Sequence, residues 1–254
     1  LVQGFIKDTY ESYYDRVAVG EEGTAKTLLQ RLHCRLRGLD YNRTAGVLDF
    51  LAGRPPGGRL LEVGCGDGRL LSRLADRYDE LTGVEFSEKA VALARERLAS
   101  VVHAKVIQCD LNADFPECEP MDTVLALEVL EHLFQPQLVL ARINAAMKPG
   151  GTLVISVPNA SFLPNRWRML IGRLPVTGAW GETWDSYHLH LFNHGLLKSL
   201  VEQSGFTLVQ FRSLGILPAL RRPRLQLLCG SVFGVFRKTS AGIGPTNVWL
   251  DPNL

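Results

Sequence analysis

Seven short runs of apolar residues recur along the chain, at 59–64, 81–86, 105–110, 122–128, 152–157, 206–213 and 231–237. Between them the apolar positions switch to helical spacing, near 68–78, 87–99, 134–147 and 194–204. Strands that alternate with helices predict an α/β doubly wound fold, a mostly parallel sheet with helices on both faces. Ser87 stands where it can cap the helix over 87–99, and Glu88 and Glu96 add charge to its exposed face. Lys148-Pro149-Gly150-Gly151 closes the helix before the fifth strand with a basic last turn, then Pro and Gly.

Three segments stand apart from this alternation. Residues 1–50 read as a helical N-terminal cap, with helices near 5–17 and 23–38. Residues 158–187 form a long insert after the fifth strand. Its Trp167, Trp180 and Trp184 give it too much aromatic content for a disordered linker, so it reads as a lid. Residues 239–254 have no periodicity and read as an irregular tail. All of this is expected to form one domain over 1–254.

Composition narrows the class. The chain has 254 residues, 46% hydrophobic and 21% charged, as in soluble globular proteins. A net charge of +2 without a basic block does not favour nucleic acid as a partner. No run of about 20 apolar residues predicts a membrane span. Five scattered cysteines with no CxxC pair argue against a zinc ribbon and for a reducing compartment, the cytoplasm. The first residue is Leu, so the natural start is expected to lie upstream.

Candidate chemistry begins at Glu62-Val63-Gly64-Cys65-Gly66-Asp67-Gly68, which leads from an apolar strand into a helix. Glycines let a backbone turn tightly and approach a ligand closely. A dinucleotide fingerprint would need Gly or Ala where Arg69 stands, and a P-loop would need G-K-[ST], so both patterns fail. The next strand, Leu81-Thr82-Gly83-Val84-Glu85, ends in a carboxylate about 20 residues after the first glycine, where it can accept both hydroxyls of a ribose.

These residues resemble the class I S-adenosylmethionine-dependent methyltransferases. Glu62 to Gly68 resembles their first motif and Glu85 the acid closing their second strand. Cys109-Asp110-Leu111 resembles the third-strand motif, Met121 to Glu128 the fourth strand, and Met147 to Gly151 the turn before the fifth. The resemblance implies a seven-stranded sheet with its last strand antiparallel. It also implies S-adenosylmethionine as cofactor and S-adenosylhomocysteine as product, held by Glu62, Gly64, Gly66, Gly68, Glu85, Phe86, Asp110, Leu111, Leu127 and Glu128. Glu128-Val129-Leu130-Glu131-His132-Leu133 resembles the E-x-x-E-H of quinone-pathway O-methyltransferases. Ser156-Val157-Pro158-Asn159 and His188-Leu189-His190-Leu191-Phe192-Asn193 fit the same branch.

A helix starting after the fourth strand would put Glu128, Glu131 and His132 on one face. By the resemblance, His188 returns over the transferred methyl group. Three roles stay open for Glu131, His132 and His188. A histidine could act as general base. With Glu128 the group could bind a divalent metal, as in small-RNA 2′-O-methyltransferases, although a metal is not the favoured reading. Glu131 and His132 could also serve only to tie the helix to the insert.

The acceptor is expected to meet Tyr13, Tyr14, Trp167, Trp184 and His190. Tyr10, Tyr13 and Tyr14 share a helical face and can stack on a ring or hydrogen-bond. In the insert, Leu163, Trp167, Leu170, Ile171 and Leu174 form one helical stripe beside Arg166, Arg168 and Arg173. That stripe either packs on the core as a lid or meets a membrane surface or lipid substrate. Arg221, Arg222 and Arg224 form a second basic group. The favoured activity is methylation of a hydroxyl on a small molecule. The rivals are a metal-dependent RNA 2′-O-methyltransferase and a non-catalytic S-adenosylmethionine-binding protein.

Overall fold

A strand buried on both faces reads as a continuous apolar run, because alternate side chains enter different helix layers. That is how β1 (Arg59–Val63) is built: Leu60 lies in one core cluster, Leu61 and Val63 in the other. The computed structural model describes residues 43–177, 188–212 and 225–239. The expected helices at 5–17 and 23–38 lie outside them, as do Tyr10, Tyr13, Tyr14, Trp180, Trp184, Arg221, Arg222, Arg224 and the tail from 240.

In chain order the elements are α1 (Arg43–Ala52), β1, α2 (Arg69–Leu74) with a 3₁₀ turn at Ala75–Arg77, β2 (Glu80–Glu85), α3 (Glu88–Arg97), β3 (Ala104–Gln108) and β4 (Met121–Leu127). A 3₁₀ turn at Leu130–His132 follows, then α4 (Pro136–Ala146), β5 (Met147–Pro158), α5 (Leu163–Leu170), α6 (His194–Gln203), β6 (Phe206–Arg212), α7 (Leu225–Leu228) and β7 (Ser231–Lys238). The seven strands form one sheet in the order β3-β2-β1-β4-β5-β7-β6. The first five are parallel, and β7 runs antiparallel to both β5 and β6. The order reverses between β1 and β4, and in such sheets ligands sit at the carboxyl ends of the strands flanking the reversal.

Several local expectations hold. Ser87 caps α3, its Oγ accepting from Ala90 N at 3.2 Å. Others need correction. β5 begins earlier than 152: Met147 already pairs with Met121, and Lys148 to Gly151 make a bulge before Thr152 pairs with Thr123. Lys148 is held there by Asp122, 2.8 Å away. The helix α1 lies at the end of the region read as a helical cap, beyond the two helices placed at 5–17 and 23–38, and carries Val47, Phe50 and Leu51 into the core.

One core residue has a consequence for stability. His194, in the first turn of α6, is 4% exposed, packs edge-on to Phe211 at 4.8 Å, and has no hydrogen-bond partner for either ring nitrogen. Burial pushes its pKa down to about 4. An unfolded chain takes up that proton near the ordinary value of about 6.5. Between these values the unfolded state binds more protons, so stability is full above about pH 6.5 and falls as pH drops toward 4. The loss should approach roughly 3 kcal/mol. Urea unfolding at pH 7 and 4.5 should show a smaller acid loss for His194→Phe than for the wild type; equal losses would clear His194 of the effect.

Candidate active site

The loop after β1 turns through three glycines in conformations that favour glycine. Gly64, Gly66 and Gly68 have φ of 69°, 54° and 71°, in the left-handed region. A Cβ on Gly64 would lie 2.5 Å from Val129 Cγ2, and one on Gly68 would lie 3.1 Å from Ala94 Cβ in α3. The loop therefore nests against the β4 side and against α3. Gly64 N and Cys65 N both donate to Val84 O, at 2.7 and 3.0 Å.

Glu85 closes β2 and is buried. Its Oε2 accepts from Gly66 N at 2.9 Å, and its Oε1 from Phe86 N and Ser87 N at 2.9 and 3.0 Å. Three backbone donors fix the carboxylate beside the glycine loop, and an ionised carboxylate has about four acceptor sites. Cys109 N donates to Glu85 O, which carries Asp110 and Leu111 to the same end of the sheet. Asp110 Oδ1 accepts from Asn112 N at 2.9 Å. Glu62 on β1 is 4% exposed and its Oε2 has no hydrogen-bond partner. Burial, with the charges of Glu85 and Asp67 adding to it, holds this carboxyl well above the usual range.

The second cluster follows β4. The expected helix is absent: Leu130–His132 is a single 3₁₀ turn. Glu128 has φ 55°, the one positive value at a non-glycine among the described residues. Its backbone N donates to Ser156 O, and its Oε1 accepts from Ser156 Oγ at 3.0 Å. Glu128 is thus turned toward β5, away from the face it was expected to share with Glu131 and His132. Glu131 is fully buried, and its backbone oxygen accepts from Leu189 N at 2.7 Å and His190 N at 3.3 Å. These bonds bring the 188–190 segment onto the turn.

The histidine rings of 132 and 188 meet edge to face with centroids 4.8 Å apart. His188 Nδ1 is 2.8 Å from Thr177 Oγ1, and burial, with His132 second, pushes its pKa down to about 4. His188 is therefore neutral at pH 7 and can accept a proton. His132 Nε2 lies 3.9 Å from Glu131 Oε1. His190 instead engages Leu133 O at 2.9 Å. Glu131, His132 and His188 each offer a ligand atom within 4.8 Å of the others, and Glu128 is not among them. Three such donors could hold a divalent ion, but a four-ligand set including Glu128 does not form.

The insert departs from the core-packed reading. Asn165 is the buried residue of α5; its Nδ2 donates to Asn159 O and Val176 O, and its Oδ1 accepts from Val176 N. That anchor turns the opposite face outward, leaving Trp167 67% exposed and Leu170 78% exposed. Thr177 and Asn165 were missed by the sequence reading, since no spacing rule ties a loop Thr to a histidine eleven residues on.

A sheet reversing between β1 and β4, a left-handed glycine loop after β1 and a fixed carboxylate ending β2 define the class of S-adenosylmethionine-dependent α/β methyltransferases. A family described as methyltransferase domain matches residues 36–211, and the chain belongs to it. A ubiquinone biosynthesis O-methyltransferase of Idiomarina loihiensis is 32% identical over 105 residues, 41% of this chain and 43% of that protein. One from Xanthomonas campestris is 34% identical over 118 residues, 44% of this chain and 48% of the relative. The matches thus span less than half the length of these relatives. Among solved structures, a magnesium protoporphyrin IX methyltransferase from Synechocystis with bound S-adenosylhomocysteine has a TM-score of 0.66 at 16% identity, covering 93% of this chain and 100% of that one. At that identity the likeness speaks for the fold alone. Among the described residues no helix is long and apolar enough to cross a membrane.

Proposed function

We propose that this chain transfers a methyl group from S-adenosylmethionine to a hydroxyl oxygen of a small molecule, phenolic or quinone-like, with one of the paired histidines taking the acceptor's proton. The observation that carries this reading is the meeting of two clusters where the sheet order reverses. Gly64 of the glycine loop packs on Val129, and Val129 leads directly into the turn bearing Glu131 and His132. The names of the O-methyltransferase relatives support an oxygen acceptor.

The cradle fits the cofactor. The glycine loop leaves room for a close approach, Glu85 can take a ribose hydroxyl, and the unpartnered Glu62 Oε2 can accept from a cationic amine. When bound, S-adenosylmethionine supplies a methyl group on a sulfonium, already a good electrophile. The chain's own residues then need mainly to position the acceptor oxygen in line and to receive its proton. His188, neutral and oriented by Thr177, can do so while Glu131 holds the 188–190 segment in place.

Calorimetric titration tests the first half. S-adenosylmethionine should bind the wild type, and Glu85→Ala should weaken it by about ten-fold to a hundred-fold, since charge-assisted hydrogen bonds contribute roughly 1.5–3 kcal/mol. Unchanged affinity would remove Glu85 from the site. A wild type with no affinity at all would overturn the reading.

A further inference from the structure

At the end of the sheet away from the glycine loop, β1, β4, β5, β7 and β6 contribute one residue each to a single row. Leu60 pairs with Thr123, Thr123 with Thr152, Thr152 with Arg237, and Arg237 with Thr207. Residues paired in register point to the same face of a sheet. This row therefore faces the α1 layer, where Leu60 packs with Val47, Phe50 and Leu51. One row further in, the same face is apolar at Leu125, Val154 and Val235. The core thus ends on a polar margin, and part of that margin is buried: Thr123 is 7% exposed and Thr152 4%.

Arg54 reaches this margin from the chain that follows α1. Its Nη1 donates to Thr152 Oγ1 at 2.8 Å, and its Cζ stands 4.7 Å from the centroid of the Phe50 ring, so the guanidinium is held from two sides. Register sets Arg237 beside Thr152, on the neighbouring strand. Two guanidinium groups thus share one corner of the sheet. Burial, with the charge of Arg237 second, holds Arg54 below its ordinary pKa. Among the described residues neither arginine forms an ion pair. Acids on the same elements are committed elsewhere, Asp49 of α1 to Arg212 and Asp122 of β4 to Lys148. Like charges held together cost free energy, more so when one is half-buried, and an anion between them removes that cost.

We infer that Arg54 and Arg237 hold a phosphate group, either inorganic phosphate or the phosphate of a monoester. The planar guanidinium fork matches phosphate oxygens two at a time. Arg54 has five N–H donors and spends one on Thr152, so the rest of its fork is available. Arg237 is exposed and can close on the anion from the solvent side. Thr207, exposed in the same row, offers a hydroxyl. A dianion with several oxygens suits two cations better than a single carboxylate does. Bound there, it ties the chain after α1 to the last strand, two segments far apart in sequence. The site lies at the opposite end of the strands from the cofactor cradle and does not depend on the proposed transfer reaction.

Thermal unfolding of the full chain tests this, in phosphate and in chloride of matched ionic strength. With a dissociation constant of about 1 mM, 10 mM phosphate should raise the midpoint by about 3 °C. Arg237→Gln should abolish that shift, and calorimetric titration with inorganic phosphate should show it binding at least about tenfold more weakly than the wild type. Arg237 is exposed, so the variant is expected to fold, and circular dichroism checks that it does. Its affinity for S-adenosylmethionine should be unchanged, which separates this site from the cofactor cradle. Glycerol phosphate, titrated in parallel, distinguishes the two sources: tighter binding than inorganic phosphate marks a monoester site, weaker binding a site for the free anion. No phosphate-dependent shift in the folded wild type overturns the inference. So does a shift of equal size in Arg237→Gln, because phosphate would then be acting as a generally stabilising salt.

Discussion

Replacing His188 with alanine should lower turnover by about 10²–10⁴-fold and leave S-adenosylmethionine affinity nearly intact. The ring is half-buried, its Nδ1 is engaged by Thr177, and its edge meets His132. The residues proposed to hold the cofactor, Glu85 and the glycine loop, belong to β2 and to the connection after β1. A pKa near 4 makes His188 a weaker base than an ordinary imidazole, yet it is ready to accept a proton throughout the neutral range. With His188 as base, activity should persist down to about pH 4, so the fold must be monitored over the same range because of His194. His132→Ala, measured in parallel, names the base by which variant loses more. Full turnover by both variants on the true acceptor would end the catalytic assignment. A chelator should leave activity unchanged; loss with chelator and recovery with Mn²⁺, Mg²⁺ or Zn²⁺ would instead favour a metal held by Glu131, His132 and His188.

Gly64→Ala should be a strongly destabilising single methyl. The residue sits at φ 69°, and the new carbon would lie 2.5 Å from Val129 Cγ2. A left-handed non-glycine costs roughly 1–2 kcal/mol, and overpacking typically about 1–3 more. Together these reach about 2–5 kcal/mol, a large share of the roughly 5–15 kcal/mol that holds a typical domain. The two causes can be separated by a double-mutant cycle in urea. Val129→Ala removes the obstructing methyls and should restore the packing part, leaving the backbone part. If Gly64→Ala alone costs under about 0.5 kcal/mol, an ordinary surface value, the loop is not the tight junction described.

The strands were legible because burial on both faces writes apolar runs that composition alone reveals, as at Leu60–Val63 and Val124–Leu127. Ser87 was legible because a cap is a local device. The turn after β4 was not. Glu128 leaves the helical face because Ser156, on another strand, binds its side chain and backbone, and no local periodicity records that. The α5 stripe was legible as a period but not as a direction. Its direction is set by the single polar anchor Asn165, whose partners Asn159 and Val176 lie at the two ends of the described insert. The glycine loop and Glu85 were read correctly as neighbours; that Gly66 N donates to the carboxylate was not visible from spacing.

The place of β7 bears on how the chain comes to be folded at all. β6 has β7 as its sheet neighbour, and β5 meets β7 along seven pairs from Thr152↔Arg237 to Pro158↔Ser231. During synthesis β5 is made long before β7, so its edge stays open, and β6 waits beside a gap. An unpaired edge of this length is a template for pairing with other chains. The contacts that close it are non-local, which makes their formation slow. The protein's period of greatest hazard therefore falls before Ser231–Lys238 arrives, when a nascent chain with most of its core still lacks the strand that seals the sheet.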